Sequence, residues 1–232
     1  MLDVIRIASF DIGKKNFAFC IEECYEPDFR KVKNLSPKER YNKDGSPTRK
    51  MRAILDAIFE NGKLILHKNL NITSHCDPKK KLDPETFHNM VDVLDEYAEF
   101  FECCDIFVIE EQMSFGKKMN RMAMKLGQHC YSYFTFKFGR FKEVIEFPSY
   151  NKTQILGCSK ELSIIRGKTK YKSVTKSQRK KWSIEQAMEI LNNRGELDFF
   201  DELEQASKRD DLADVLTQLQ AFKYLRFVDK SV

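Results

Sequence analysis

The sequence lacks the features of a secreted or membrane-spanning protein. It has no apolar run that approaches the roughly 20 residues a spanning helix requires. Its first residues, MLDVIR, have neither the basic region nor the long apolar region of a signal peptide. It also has no C-x-x-C pair, and an odd count of 7 cysteines without such a signal is typical of reduced thiols. We therefore expect an intracellular protein that is not secreted and folds without disulfides.

Motifs for nucleotide binding, zinc binding and nucleophilic catalysis are missing as well. The turn at residues 11–15 lacks the first glycine and the spacing of a Walker loop. His75 and Cys76 could form half of a zinc site, but the sequence supplies no second half. No convincing Ser/His/Asp set is present. These absences predict no small-molecule cofactor.

What the sequence does contain is enough apolar material for a core. The chain has 232 residues, of which 42% are hydrophobic and 19 are phenylalanine. About 70% of the surface of an unfolded chain can be buried at this length, so the fold needs no structural metal. The length predicts one domain with room for an insertion at about 26–60.

The hydrophobic patterns predict an α/β protein with a mixed sheet. Strand patterns cover residues 4–10, 17–21, 64–66 and onward, 106–109 and 144–148. Helical patterns cover residues 83–101, about 117–136, 182–191 and 211–225. Strands come first and then alternate with helices, an order typical of a mixed central sheet. Residues 26–52 contain three prolines and many basic residues, so we predict a mobile surface excursion there rather than a core element.

Acidic residues stand where this sheet would gather them. Asp11 ends the first strand, Glu110 ends the buried run Ile-Phe-Val-Ile, and Asp211 and Asp214 share one face at the start of the last helix. Clustered carboxylates repel one another, and a hard cation such as Mg²⁺ relieves that repulsion. Each residue also has an ordinary interpretation: Asp11 as a turn residue, Glu110 as a solvated carboxylate, and Asp210-Asp211 as a helix cap.

Three ordered motifs carry a resemblance to a nuclease family. Residues 7–16, IASFDIGKKN, resemble the first motif of ribonuclease H-like nucleases, a strand that ends in D-x-G. Residues 108–112, VIEEQ, are similar to the I-E-x-Q motif of poxvirus-type Holliday junction resolvases, which are relatives of RuvC and the mitochondrial resolvases. Residues 208–216, KRDDLADVL, resemble the last motif of that family, a D-D-x-x-D helix start. The resemblance covers the whole chain except about residues 26–60.

The resemblance implies a fold, an activity and a set of site residues. The fold is ribonuclease H-like, with three antiparallel strands followed by parallel strands and flanking helices. The activity is resolution of four-way DNA junctions by paired symmetric nicks, by a homodimer that acts where viral DNA replicates. The catalytic residues and ligands of two Mg²⁺ ions, with Mn²⁺ as a substitute, would be Asp11, Glu110, Asp211 and Asp214. Their neighbours Glu111 and Asp210 remain alternatives. We expect dimer contacts within about residues 113–138.

Two other functions remain open at this point. A related ribonuclease H-like nuclease could prefer RNA–DNA hybrids, flaps or other branched DNA. A DNA-binding structural protein could carry the same motifs with an inactive site.

The positive charge is concentrated in one segment. Residues 151–181 contain ten basic residues and one acidic residue, whereas the rest of the chain has 30 basic and 34 acidic residues. Such a segment suits a phosphate backbone, although a nuclear-localisation signal or a solvated loop is the ordinary alternative. The excursion at 26–52 is a second candidate DNA-binding surface. The candidate DNA-binding residues are Lys14, Lys15, Lys152, Lys168, Lys170, Lys172, Lys176, Arg179, Lys180 and Lys181.

Overall fold

A computed structural model describes residues 4–112, 120–165 and 168–232 of the chain. The strands of this described part are β1 (Val4–Asp11), β2 (Phe17–Tyr25), β3 (Lys63–Leu70), β4 (Ile106–Glu111), β5 (Glu143–Pro148), β6 (Glu161–Ile165) and β7 (Lys168–Lys172). Its helices are α1 (Glu26–Lys31), α2 (Pro37–Arg40), α3 (Arg49–Glu60), α4 (Pro84–Glu96), α5 (Ala98–Glu102), α6 (Arg121–Phe138), α7 (Tyr150–Ile155), α8 (Lys176–Arg194), α9 (Leu197–Gln205) and α10 (Arg209–Lys223), with a π-helix at Tyr224–Asp229. None of the described helices is both long and apolar enough to cross a membrane.

The central sheet is mixed, as the sequence predicts. Its strand order is β3-β2-β1-β4-β5. The pairs β1–β2 and β2–β3 are antiparallel, whereas β1–β4 and β4–β5 are parallel. The carboxyl ends of β1 and β4 therefore meet at the same edge of the sheet. A separate antiparallel hairpin of β6 and β7, which the strand patterns did not predict, carries part of the basic segment.

Each face of the sheet packs against its own core. On one face, Ile7 and Val108 pack with α10, α8 and α3. On the other face, aromatic rings dominate, and Phe107 stacks on Phe134 with 4.1 Å between ring centroids. Alternate residues of a strand point to opposite faces, so β1 and β4 each contribute to both cores. Much of the high phenylalanine content is used in the second core.

The prediction that residues 26–52 form a surface excursion is wrong for much of this segment. Phe29 of α1 and Met51 of α3 are fully buried in the core that contains α10. Met51, Ile54, Leu55 and Ile58 follow a helical repeat, and the Thr48 side chain accepts a hydrogen bond from the backbone N–H of Met51 at the helix start. Basic residues on the same helix obscured this apolar face. Residues 26–60 are therefore built into the domain as three helices.

Two further differences concern helix boundaries. The single helix predicted from Asp83 to Phe101 is two helices in the structure. The first, α4, ends at Glu96, and the second, α5, begins at Ala98. Asp83 does cap the helix, since its side chain accepts a hydrogen bond from the N–H of Glu85. The predicted helix at about 117–136 begins partly outside the described residues, and α6 covers the rest of it.

A fully buried ion cluster lies between β2, α8 and α10. The Glu22 carboxylate accepts hydrogen bonds from Arg194 at 2.9 Å, from Gln220 at 2.8 Å and from Lys223. Burial opposes the charge of Glu22, but Arg194 and Lys223 more than compensate and lower its pKa. Lys223 also donates to the carbonyl of Asn61 at 2.8 Å. This cluster joins the insertion to the last helix.

We expect Gly62→Ala to destabilise the protein by about 1–3 kcal/mol, the usual cost of overpacking. A Cβ atom at Gly62 would lie 2.2 Å from Glu22 Oε1 and 2.5 Å from an Arg194 nitrogen, and the ion cluster holds both groups in place. Urea unfolding measures the change. Gly127→Ala in α6 is the control, because its Cβ would lie at an ordinary contact distance of 3.9 Å from Ile12 Cγ1 and because alanine favours a helix. Equal stability of the two variants would contradict the proposed rigidity of the cluster.

Candidate active site

The parallel pairing of β1 and β4 places two of the predicted acids side by side. Phe10 pairs with Ile109, so the next residues along the two strands, Asp11 and Glu110, are neighbours at the strand ends. Both carboxylates lie on the sheet face that α10 covers, since strand residues alternate between faces. Glu111 follows on the opposite face and is exposed.

Asp11 and Glu110 interact directly. Burial is the largest cause that raises the pKa of Asp11 well above its usual value, and the charge of Glu110 and a hydrogen bond with it raise that pKa further. A buried carboxyl group beside a second one ionises only at a cost. A nearby cation therefore favours the charged form of Asp11.

Lys152 of α7 supplies one positive charge at this point. Its Nζ lies 3.0 Å from Asp214 Oδ2 and 3.7 Å from Glu110 Oε1, and only 10% of its side chain is exposed. Burial alone would lower the pKa of Lys152, but the charges of Glu110, Asp214 and Asp11 more than offset it and raise that pKa. The ammonium group is therefore charged at neutral pH, and it lies between Glu110 at the end of β4 and Asp214 of α10.

The first turns of α10 bring the remaining acids to the site. Asp214 accepts a hydrogen bond from Ser183 Oγ at 2.8 Å, which fixes its orientation from α8. Asp211 is half-buried, and its Oδ2 atom is buried without a hydrogen-bond partner. Burial and then the charge of Asp210 raise the pKa of Asp211. Asp210 instead forms an ion pair with Lys180. Burial would raise the pKa of Asp210, but the ion pair outweighs this effect and lowers that pKa.

Two buried polar side chains hold α10 against the strands. The Gln218 amide donates to Ser9 Oγ at 3.1 Å and to the carbonyl of Phe10 at 3.2 Å, next to the end of β1. His67 of β3 donates from Nε2 to the carbonyl of Leu212 at 2.9 Å. Burial lowers the pKa of His67 to about 4, so the ring is neutral at pH 7. These contacts set the distance between the acids of the helix and those of the strands.

The donor atoms fit a hard divalent cation in their chemistry. The four acids offer carboxylate oxygens, the ligands that such a cation prefers. One of these oxygens, Oδ2 of Asp211, is buried and has no hydrogen-bond partner in the described part of the chain. The buried ammonium group of Lys152 balances only part of their negative charge. As they stand, no three His, Cys, Asp or Glu side chains of the described chain are grouped closely enough to hold a metal ion. Lys152 lies among the acids that would have to converge. Metal binding would therefore require Lys152 to release Glu110 and Asp214.

The acids open into a groove of about 1140 Å³ that is lined by basic side chains. Four of the candidate DNA-binding residues contribute to its lining, namely Lys152, Lys176, Arg179 and Lys180. Lys14 and Lys15 are outside that lining, and Lys14 donates to the carbonyl of Lys81. Lys170, Lys172 and Lys181 are exposed outside it, and the side chain of Lys168 is outside the described residues.

Three further residues of the site differ in how strongly the sequence indicates them. Ser183 is one of many serines, and only the contact between α8 and α10 brings it to Asp214. Gln218 could have been noticed, since it follows Asp214 by four residues and thus lies on the same face of α10. Lys43 also lines the groove, and it belongs to the excursion at 26–52 that the sequence marks as a second candidate DNA-binding surface.

The fold defines a class. A mixed sheet of order β3-β2-β1-β4-β5, with a packed core on each face, is the ribonuclease H-like fold. Protein 170L of Invertebrate iridescent virus 6 is 36% identical to this chain over 239 residues, which cover 97% of the chain and 92% of that protein. The chain belongs to the family of this viral protein. Protein 97L of Invertebrate iridescent virus 3 is 29% identical over 228 residues, 94% of the chain and 98% of that protein.

Solved structures share the fold. The yeast mitochondrial Holliday junction resolvase Ydc2 matches with a TM-score of 0.50 and 12% identity, over 98% of this chain and 86% of that chain. The fowlpox virus Holliday junction resolvase has a TM-score of 0.49 and 15% identity, over 94% of this chain and 97% of that chain. No model of a protein family matches the chain. The match to Ydc2, together with the strand order of the sheet, confirms the predicted ribonuclease H-like fold.

Proposed function

We propose that this protein is a Mg²⁺-dependent endonuclease that cuts four-way DNA junctions during viral DNA recombination, replication or genome processing, at the site of viral DNA replication. The observation that carries the proposal is that the four acids line a single groove together with basic side chains. Basic side chains hold the phosphate backbone by its charge, whereas junction selectivity comes from the shape and deformability of the DNA.

The residues of the proposed site have three roles: to hold the metal ions, to orient the acids and to balance their charge. Asp11, Glu110, Asp211 and Asp214 would hold two Mg²⁺ ions, with Mn²⁺ as a substitute. When bound, the ions activate water and stabilise the charge that develops on the scissile phosphate. Ser183 orients Asp214, and Gln218 holds α10 at the end of β1. The Lys152 ammonium balances the acids and lies where it can contact a phosphate oxygen.

A homodimer would place two such sites on opposing strands of one junction. Two-fold symmetry matches the symmetry of a four-way junction, so two nicks release two duplexes. Phe136 of α6 is 89% exposed and lies within the region where we place the dimer contact. The part of that region at 113–119 is outside the described residues.

Asp211→Asn tests the active-site assignment. We expect the rate of cleavage of a labelled synthetic junction to fall at least about 100-fold, because a group that positions charge at the reacting phosphate is removed. Binding of the junction without metal should survive. Asp201→Asn, an exposed residue of α9, is the matched control and should cleave normally. Undiminished cleavage by Asp211→Asn would overturn the assignment of Asp211.

The choice of substrate separates this function from its alternatives. We expect a four-way junction to be cut faster than a linear duplex, a flap or an RNA–DNA hybrid. Preference for a hybrid or a flap would identify a related nuclease instead. Junction binding without any Mg²⁺-dependent turnover would identify a structural DNA-binding protein.

A further inference from the structure

The insertion contributes an ordered loop to the active-site groove. Residues 41–47, here called the insertion loop, are closed by a β-bridge between Tyr41 and Pro47. Asp44 accepts hydrogen bonds from the backbone N–H and the hydroxyl of Ser46, at 3.0 and 2.6 Å. The N–H of Asn42 donates to the carbonyl of Ser46 at 2.8 Å. The loop therefore has a defined shape of its own.

The insertion loop is also attached to the segment that carries Lys152. Tyr41 donates from its hydroxyl to the carbonyl of Ile155, at the end of α7, at 2.8 Å. The N–H of Lys160 donates to the carbonyl of Asp44 at 2.7 Å. Gly157, at a φ of +79°, lets the Pro47 ring approach the α7–β6 connection, since a Cβ at this position would lie 2.5 Å from that ring. The loop and the α7–β6 connection thus form one continuous wall.

The lysines of this wall differ from those nearer the acids. Lys152 and Lys180 are held in ion pairs with acidic residues. The ion pairs found among the described residues include neither Lys43 nor Lys160, and both side chains are exposed and line the groove. Two exposed ammonium groups that have no ion-pair partner in the described part of the chain, in the groove that also holds the four acids, suit phosphate groups.

We propose that Lys43 and Lys160 bind the DNA backbone beside the scissile phosphate, so that the insertion loop is a wall of the substrate-binding site. This inference rests on the proposed function, because it takes DNA as the occupant of the groove. It assigns the insertion a role that the motifs of the core do not cover. The two lysines come from distant parts of the chain and are brought to one wall by the contacts of Tyr41 and Asp44.

The double variant Lys43→Ala/Lys160→Ala tests the inference. Binding of a labelled junction is measured in EDTA over a range of salt concentrations. Each lost phosphate contact lowers the slope of log K against log salt by about 0.9, so the slope should fall by about 2 and the affinity at 150 mM salt by about 30-fold. The control Lys63→Ala/Lys79→Ala removes two exposed lysines that lie outside the groove lining and outside residues 26–52, and it should retain the wild-type slope.

The Lys43→Arg/Lys160→Arg variant should bind as the wild type does, because it keeps both charges. If the Ala variant keeps the wild-type slope while the wild type binds and cuts the junction, the role of the insertion loop is overturned and the proposed function stands. If the control loses as much slope as the Ala variant, the effect is one of net charge and the inference is again overturned. If the wild type does not bind DNA at all, the proposed function fails first.

Discussion

Replacing Glu22 with glutamine should lower the free energy of unfolding by about 3–5 kcal/mol. Glutamine keeps the shape of the side chain but leaves the buried cations Arg194 and Lys223 without their shared carboxylate. Removing one partner of a buried ion pair leaves an uncompensated charge, which costs this much in other proteins. Burial lowers the pKa of Lys223, whereas the charge of Glu22 raises it, so we expect the variant to lower this pKa further. Urea unfolding, followed by the fluorescence of Trp182 and by circular dichroism, measures the loss.

Glu23→Gln is the matched control. Glu23 is the next residue of β2, and its carboxylate pairs with Arg6 at 2.9 Å, but the side chains of that pair are 38% and 30% exposed. A partly exposed pair contributes about 1 kcal/mol or less. If the two variants lose equal stability, burial of the Glu22 cluster is not the source of the effect. A stable Glu22→Gln protein would show that the cluster is dispensable for folding.

Lys152→Met should abolish most of the nuclease activity. It should also make the stability of the protein depend more strongly on Mg²⁺. Methionine approximates the stem of lysine but leaves Asp11, Glu110 and Asp214 without their ammonium group. In EDTA we expect the free energy of unfolding to fall by about 3 kcal/mol, the cost of breaking a buried pair. Junction cleavage should fall at least about 100-fold, because a charge aimed at the reacting phosphate is lost.

Added Mg²⁺ should stabilise Lys152→Met more than it stabilises the wild type, because the cation no longer competes with an ammonium group. Ligand at 100 times its Kd stabilises a protein by about 2.7 kcal/mol, which a thermal unfolding scan resolves. Lys181→Met is the control, since its side chain is 79% exposed and it should behave as the wild type in every assay. A Lys152→Met protein with full stability in EDTA and no response to Mg²⁺ would contradict the role of Lys152 in charge balance.

The sequence was sufficient for most of the central sheet. The alternating pattern at 4–10 and the continuous apolar run at 106–109 predicted β1 and β4, and the acids that follow them marked the strand ends. Helix α3 was missed because its apolar repeat is interleaved with Arg49, Lys50 and Arg52. The β6–β7 hairpin was missed because its exposed strands lack a buried apolar face; Leu162 and Ile164, for example, are 63% and 79% exposed.

The choice between neighbouring acids shows where pattern reasoning ends. Alternation along a strand states that Glu110 and Glu111 point to opposite faces, but it does not state which face α10 covers. In the structure, Glu110 lies on that face, between Asp11 and Lys152, whereas Glu111 is exposed. Asp210 and Asp211 likewise differ in their partners, since the ion pair with Lys180 is formed by Asp210.

The sequence alone determined the fold class and the types of residue available for chemistry. Hydrophobic periodicity and acids at strand ends are local properties, so they can be read from neighbouring residues. Only the tertiary structure decided which side chains share the site, because Lys152, Ser183 and Gln218 reach it through contacts between elements far apart in the chain. It also decided that residues 26–60 belong partly to the core and partly to the wall of the groove, since burial depends on which helices pack together.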